Sequence, residues 1–294
     1  MQQSLLAPGE HFADVNGVTI HYTVRGSGPV LLVPAPGWGP SVSFMIPLPG
    51  LEEHCTVVYF DTRHSGRSTG PDDPTQYSLD HLVNDIDALR EHIRTDTVFL
   101  AGHSGGGHQV LEYGIQHSDH LLGIIAIDAI VSADEVRTAE VMRRLAAMKD
   151  KPYYQAHPEE YEAGMAFERR EINYQPTIAQ ILAATGGFYF HDPELAAAAF
   201  GTMHFDDALL GYSQASGFQS KNLLPELARI TVPTLLVYGA EDFQCDPVTQ
   251  GERAHAAMGT SQLVLIPEAG HVPWAEQPEA FAAACTSWIQ HINV

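Results

Sequence analysis

A chain of 294 residues with 45% hydrophobic and 17% charged residues has the make-up of a folded domain. It is long enough to bury about three quarters of its unfolded surface, so its core needs no disulfide or metal staple. Fifteen basic against thirty-six acidic residues leave a formal charge of −21, a surface that repels nucleic acid and anionic lipid, so neither is expected as a partner.

The remaining composition narrows the class further. Cys55, Cys245 and Cys285 are scattered, and the sixteen histidines form no metal-ligand spacing, so neither a metal nor a dissociable cofactor is expected. Cys55 and Cys285 read as small buried hydrophobes. The longest apolar runs are strand-sized, so no membrane span is expected. The first ten residues carry neither a charged n-region nor a signal-type apolar stretch, and the expected location is the cytoplasm.

Two short β-type stretches lie between His11 and Gly26, joined at Asn16-Gly17, a pair suited to the positive φ of a hairpin turn. Val30–Val33 reads as a buried strand running into Pro34-Ala35-Pro36-Gly37-Trp38-Gly39, and Thr56–Phe60 as another, closed by the turn Asp61–Ser68. Leu79, Leu82, Val83, Ile86, Leu89 and Ile93 recur at helical spacing. Val98–Ala101 is a strand, Gly102-His103-Ser104-Gly105-Gly106 a turn, and residues 107–117 a helix; Leu121–Ile127 is a further strand that stops at Asp128. From Val131 to about Leu224 the chain is helix-rich, acidic and aromatic, with the cluster Phe188-Tyr189-Phe190. Alternation resumes with the strand Thr234–Tyr238, a helix around Val248–Met258, the strand Gln262–Ile266, and a last helix from Pro278 with Phe281, Cys285, Trp288 and Ile292 on one face.

A β/α alternation interrupted once predicts an α/β fold, a mostly parallel sheet covered by helices on both faces. The expected core is 1–131 with 225–294, and residues 132–224, inserted after the sixth strand, form a helical cap over the edge where the strands end.

The turn at Ser104 fits Gly-x-Ser-x-Gly between a strand and a helix, which holds a serine in a strained conformation with its hydroxyl out over the sheet. Glycines two before and two after let strand and helix pass closely. A serine hydroxyl is a poor nucleophile and needs a base, which in turn needs an orienting acid. The best base is His271, in the loop after the last strand; His103 and His108 lie too close in sequence to Ser104, and His291 sits on the terminal helix. The acid belongs after the strand ending at Tyr238, and Asp242 is the first choice, with Asp128, Glu241 and Asp246 as alternatives. Two amides are needed for the developing oxyanion: Gly105, next after the serine, and Trp38, since Pro36 has no N–H.

Ser104 in Gly-His-Ser-Gly-Gly, Asp242 after Val-Tyr-Gly-Ala-Glu, and His271 in Gly-His-Val-Pro-Trp-Ala-Glu-Gln-Pro together resemble the α/β-hydrolase fold superfamily. Tyr59–Ser68 and Asp242-Phe243-Gln244-Cys245 are similar to the proline iminopeptidase branch, whose members clip an N-terminal residue and hold its amino group with acidic cap residues; Glu168 and Glu171 are the candidates here. The chain departs from that branch at the oxyanion loop, Pro34–Gly39 where His-Gly-Gly-Pro-Gly is usual, and at Gly-His-Ser-Gly-Gly, a form common in esterases and lactonases. The resemblance implies a serine hydrolase acting on a small ester, lactone or amide through an acyl-enzyme. An aminopeptidase, an acyltransferase on the same residues, and a ligand-sensing protein of the same fold are the alternatives.

Overall fold

A computed structural model describes residues 4–201 and 203–292. Strands β1 (Gly9–Val15) and β2 (Val18–Gly26) form the expected hairpin, with Asn16 at φ 48° and Gly17 at φ 77°. There follow β3 (Val30–Pro34), β4 (Thr56–Phe60), helix α1 (Leu79–His92), β5 (Val98–His103), α2 (Gly105–His117) and β6 (Leu121–Ile127). Between β6 and the next strand the chain is helical: α3 (Glu135–Met148), α4 (Pro152–Ala156), α5 (Pro158–Glu168), α6 (Ile178–Thr185), α7 (Ala196–Phe200) and α8 (Asp207–Ser216). It then runs through β7 (Thr234–Gly239), a wide-turned segment Pro247–Glu252, α9 (Arg253–Ala257), β8 (Ser261–Ile266), α10 (Pro273–Glu276) and α11 (Pro278–His291).

The eight strands make one sheet in the order β1-β2-β4-β3-β5-β6-β7-β8. The hairpin joins antiparallel at β4, and every pairing from β4 to β8 is parallel. β3, β5 and β7 are buried along their whole lengths, which is why they read as continuous apolar runs without alternation. One face packs on α1, α2 and α9 through residues such as Leu82, Ile86 and Leu111; the other packs on α11 through Phe281, Cys285 and Trp288. A separate cluster, with Leu145, Tyr154, Met165 and Phe188 of the helical segment, closes on Phe243 from the loop after β7. All three cysteines are free and buried.

Register places the site. His103 pairs with Ile127, Ile127 with Val237, and Gly239 with Ile266, so β5 to β8 finish at one edge. The next residues along the chain are Ser104, Asp128, the loop carrying Asp242 and the loop carrying His271. The helix expected around Val248–Met258 is present, opening with wide turns over Pro247–Glu252 that run directly into α9. Asp246 caps its start, and the wide turn at Pro247–Glu252 brings the buried Gln250 side chain inward, where Oε1 accepts from the amides of Val131 (2.7 Å) and Ser132 (3.1 Å). Those two amides belong to the chain as it leaves the sheet.

Candidate active site

Ser104 joins β5 to α2 at φ 55°, ψ −115°, a conformation L residues avoid. Close approach imposes it. A β-carbon on Gly102 would lie 2.3 Å from the Gly106 carbonyl oxygen, and one on Gly107 only 2.5 Å from Ala129 Cβ. A β-carbon on Gly105 would lie 2.5 Å from Pro36 O, whereas on Gly106 it would sit 3.3 Å from Pro34 O, so after the serine Gly105 and Gly107 are needed more than the Gly106 of the motif.

His271 is held through its backbone and its ring. Its amide donates to Tyr189 O at 2.7 Å, and its carbonyl accepts from His103 Nε2 at 2.8 Å. Nδ1 donates to Asp242 Oδ2 at 2.7 Å, which fixes the tautomer and leaves Nε2 for chemistry. Burial, with His271 next to it, pushes the His103 pKa well below the ordinary histidine value, so His103 is a neutral donor to that carbonyl. Glu276 adds a strap: Oε1 accepts from Gly270 N at 2.7 Å and Oε2 from His191 N at 2.6 Å, tying the histidine loop to the helical segment.

Among the candidate acids, Asp242 alone pairs with His271. Burial acts to raise its carboxyl, but the facing imidazole and the amides of Cys245 and Gln244 outweigh burial and hold it below the usual range. Asp128 lies beside it, fully buried, with Oδ1 accepting from Gly239 N at 2.8 Å. Glu241 turns away, into an ion pair with Lys151 (2.9 Å) and a hydrogen bond with His191 Nδ1 (2.6 Å). Asp246 caps the wide turn through Val248 N and Thr249 N.

Ser104 and His271 open on one cavity of about 310 Å³. Pro36, Trp38 and Phe44 line it from the core, Ile181, Leu182, Phe200, Met203 and Leu210 from the helical segment, and Gln214, Gln219 and Gln244 supply neutral polar groups. Among the described residues no carboxylate, lysine or arginine lines it. Glu168, whose carboxyl burial pushes up, is not on its wall, and Glu171 is exposed. The Trp38 amide has no acceptor among the described residues, and Gly105, first in α2, has none within its helix. The Ser104 hydroxyl also makes no hydrogen bond among the described residues. Such contacts commonly tighten only when substrate is bound.

The model of the alpha/beta hydrolase family matches residues 30–284. The chain belongs to that family. This α/β hydrolase is 26% identical to a proline iminopeptidase of Saccharolobus solfataricus, over 96% of this chain and 93% of that protein. It is 25% identical to a 3-oxoadipate enol-lactonase of Acinetobacter baylyi, over 81% of this chain and 79% of that one. Its fold matches a proline iminopeptidase-related protein of Thermus thermophilus with a TM-score of 0.74 at 23% identity, covering 97% of this chain and 98% of the other.

Some residues at the hydrolase's site were not legible in advance. In the sequence Tyr189 is one residue of an aromatic cluster, yet in the fold it accepts from the His271 amide and packs its ring 5.5 Å from the imidazole. Glu276 lies in the quoted His271 motif, where its spacing of five from His271 carries no signal for a strap to Gly270. The three glutamines carry no sequence signal at all. In the described residues no helix is long and apolar enough to cross a membrane.

Proposed function

We propose that this hydrolase cleaves a small, neutral and largely apolar ester or lactone through an acyl-enzyme. The observation that supports this reading above others is the cavity shared by Ser104 and His271, apolar on most sides and, among the described residues, lined by no carboxylate, lysine or arginine. A cationic amine buried there meets no carboxylate, and desolvating an unpaired charge is costly. An uncharged acyl chain meets side chains that gain by excluding water with it.

In this mechanism Ser104 Oγ attacks the carbonyl carbon while His271 Nε2 takes its proton, and Asp242 stabilises the imidazolium through Nδ1. The amides of Trp38 and Gly105 receive the oxyanion; losing one such donor costs about 10²–10³ in rate. His271 then protonates the leaving alkoxide, and water, activated by the same nitrogen, releases the acyl group. The helical segment 132–224 acts as a cap that selects the acyl chain.

A second reading, an aminopeptidase acting on an N-terminal residue, is favoured by relatives named proline iminopeptidase that span most of the chain. Initial rates of the parent and Ser104→Ala on a short-chain p-nitrophenyl ester and on proline p-nitroanilide separate the two. The expected outcome is ester turnover with a burst, abolished by Ser104→Ala, and little anilide turnover. Faster turnover of the anilide would overturn the neutral-substrate reading.

A further inference from the structure

Asp128 has no part in that mechanism, yet it is built into the same site. It directly follows β6 at φ 41°, a left-handed conformation uncommon outside glycine, and is fully buried. Oδ1 has the Gly239 amide; Oδ2 is buried with no donor among the described residues. The Asp242 carboxyl lies within hydrogen-bonding reach, and ring nitrogens of His103 and His271 lie within 4.8 Å of a carboxyl oxygen. The titratable groups facing it are Asp242 and Cys245 after β7, Tyr238 on β7, Glu276 on α10, His103 on β5 and His271 after β8.

We propose that Asp128 is a positioning residue that keeps its proton in the folded enzyme and donates it in a hydrogen bond to the Asp242 carboxylate, which in turn faces His271 Nδ1. The inference rests on the reading of Ser104, His271 and Asp242 as the reacting set. Two carboxylates in contact in a buried site cannot both ionise, and the one paired with the imidazole carries the charge. Burial and then the Asp242 charge push the Asp128 carboxyl well above its ordinary range, in keeping with a protonated acid. The proton does not move during turnover. It gives Asp242 a third direction of support, beside the imidazole and the loop amides, and it explains why Oδ2 of Asp128 has no donor of its own: it is the donor.

Two substitutions test this. Asp128→Asn replaces the acid O–H by an amide N–H in nearly the same volume and keeps an oxygen for Gly239; Asp128→Ala removes both. In the parent, folding takes up a proton at Asp128 wherever the unfolded chain would be ionised, so this site costs increasing stability as pH rises above the ordinary carboxylate range of about 4. Asparagine has no such cost. The melting temperature of Asp128→Asn relative to the parent is therefore expected to climb by a few degrees between pH 4 and pH 8. On the ester, Asp128→Ala is expected to lower kcat about ten- to hundredfold with KM nearly constant, and Asp128→Asn to recover most of that loss. A melting difference that stays flat with pH, or an asparagine variant as slow as the alanine one, would overturn the proposal. Should Asp128→Ala fail to fold, the asparagine melting profile decides alone. That profile needs no substrate, so it stands or falls apart from the Ser104→Ala assay that tests the reacting set.

Discussion

The strand-end edge and the helical segment above it meet at one cavity but are built differently. On the edge, the groups proposed for chemistry are held by backbone and hydrogen bonds: Ser104 by its turn at φ 55°, His271 by its amide, its carbonyl and Nδ1, and Asp242 by the ring and the Gln244 amide at 2.8 Å. In the helical segment, Ile181, Leu182, Phe200, Met203 and Leu210 present apolar side chains that offer only shape. Chemistry that must repeat within a fraction of an ångström sits on rigid strand ends, and selection among acyl groups sits on surfaces that can change without disturbing it.

The largest expected effect breaks the edge. His271→Ala is expected to cost about 10⁴–10⁶ in kcat, and the double variant with Ser104→Ala to be no worse than either alone, because the residues act as one unit. Asp242→Asn is expected to cost about 10⁴, since an asparagine facing Nδ1 stabilises the wrong tautomer. Steady-state rates on the ester, with circular dichroism to show that each variant folds, check both. Additive losses in the double variant would mean that Ser104 and His271 do not work together.

The same contrast explains what the sequence could convey. Val98–Ala101 and Thr234–Tyr238 are legible because a strand buried on both faces must be apolar throughout, and the order of turns after them follows from a parallel sheet. Ser104, Asp242 and His271 are legible because each sits in a loop directly after a strand, where local motif and position coincide. The choice between Asp242 and Asp128 is not local: both follow strands, and only their distance from Nδ1 in the folded chain separates them. Nor is Gln250 legible, because its role depends on two amides about 120 residues away. The cavity wall is least legible of all, since an apolar residue facing substrate and one facing the core look alike in a helix.

A middle-sized effect sharpens where the edge is rigid. Gly107→Ala drives a methyl group to 2.5 Å from Ala129 Cβ and 2.8 Å from its Cα, part of it backbone that cannot yield cheaply. It is expected to destabilise the fold by ~1–3 kcal/mol. Gly106→Ala meets its nearest atom, Pro34 O, at 3.3 Å and is expected to cost less, offset in part by the gain of alanine over glycine within a helix. Denaturant midpoints compare them, and equal losses would show that the turn tolerates crowding on neither side.

The smallest effect belongs to the helices. Leu182, on α6, is half-buried and faces the cavity with no hydrogen-bonding role, so Leu182→Ala deepens the wall without touching the groups that hold His271 or Asp242. The volume released accepts additional methylenes of an acyl chain, each of which favours burial by about 0.8 kcal/mol. The ratio of kcat/KM for a hexanoyl over an acetyl p-nitrophenyl ester is therefore expected to rise about three- to tenfold relative to the parent. The alkaline and acid limits of the pH profile should not shift, because no titratable group has moved. A variant whose chain-length preference is unchanged would mean that the acyl group lies along Trp38 and Phe44 instead. Selectivity would then reside in the core edge as well, and the division of labour between the two regions would fail.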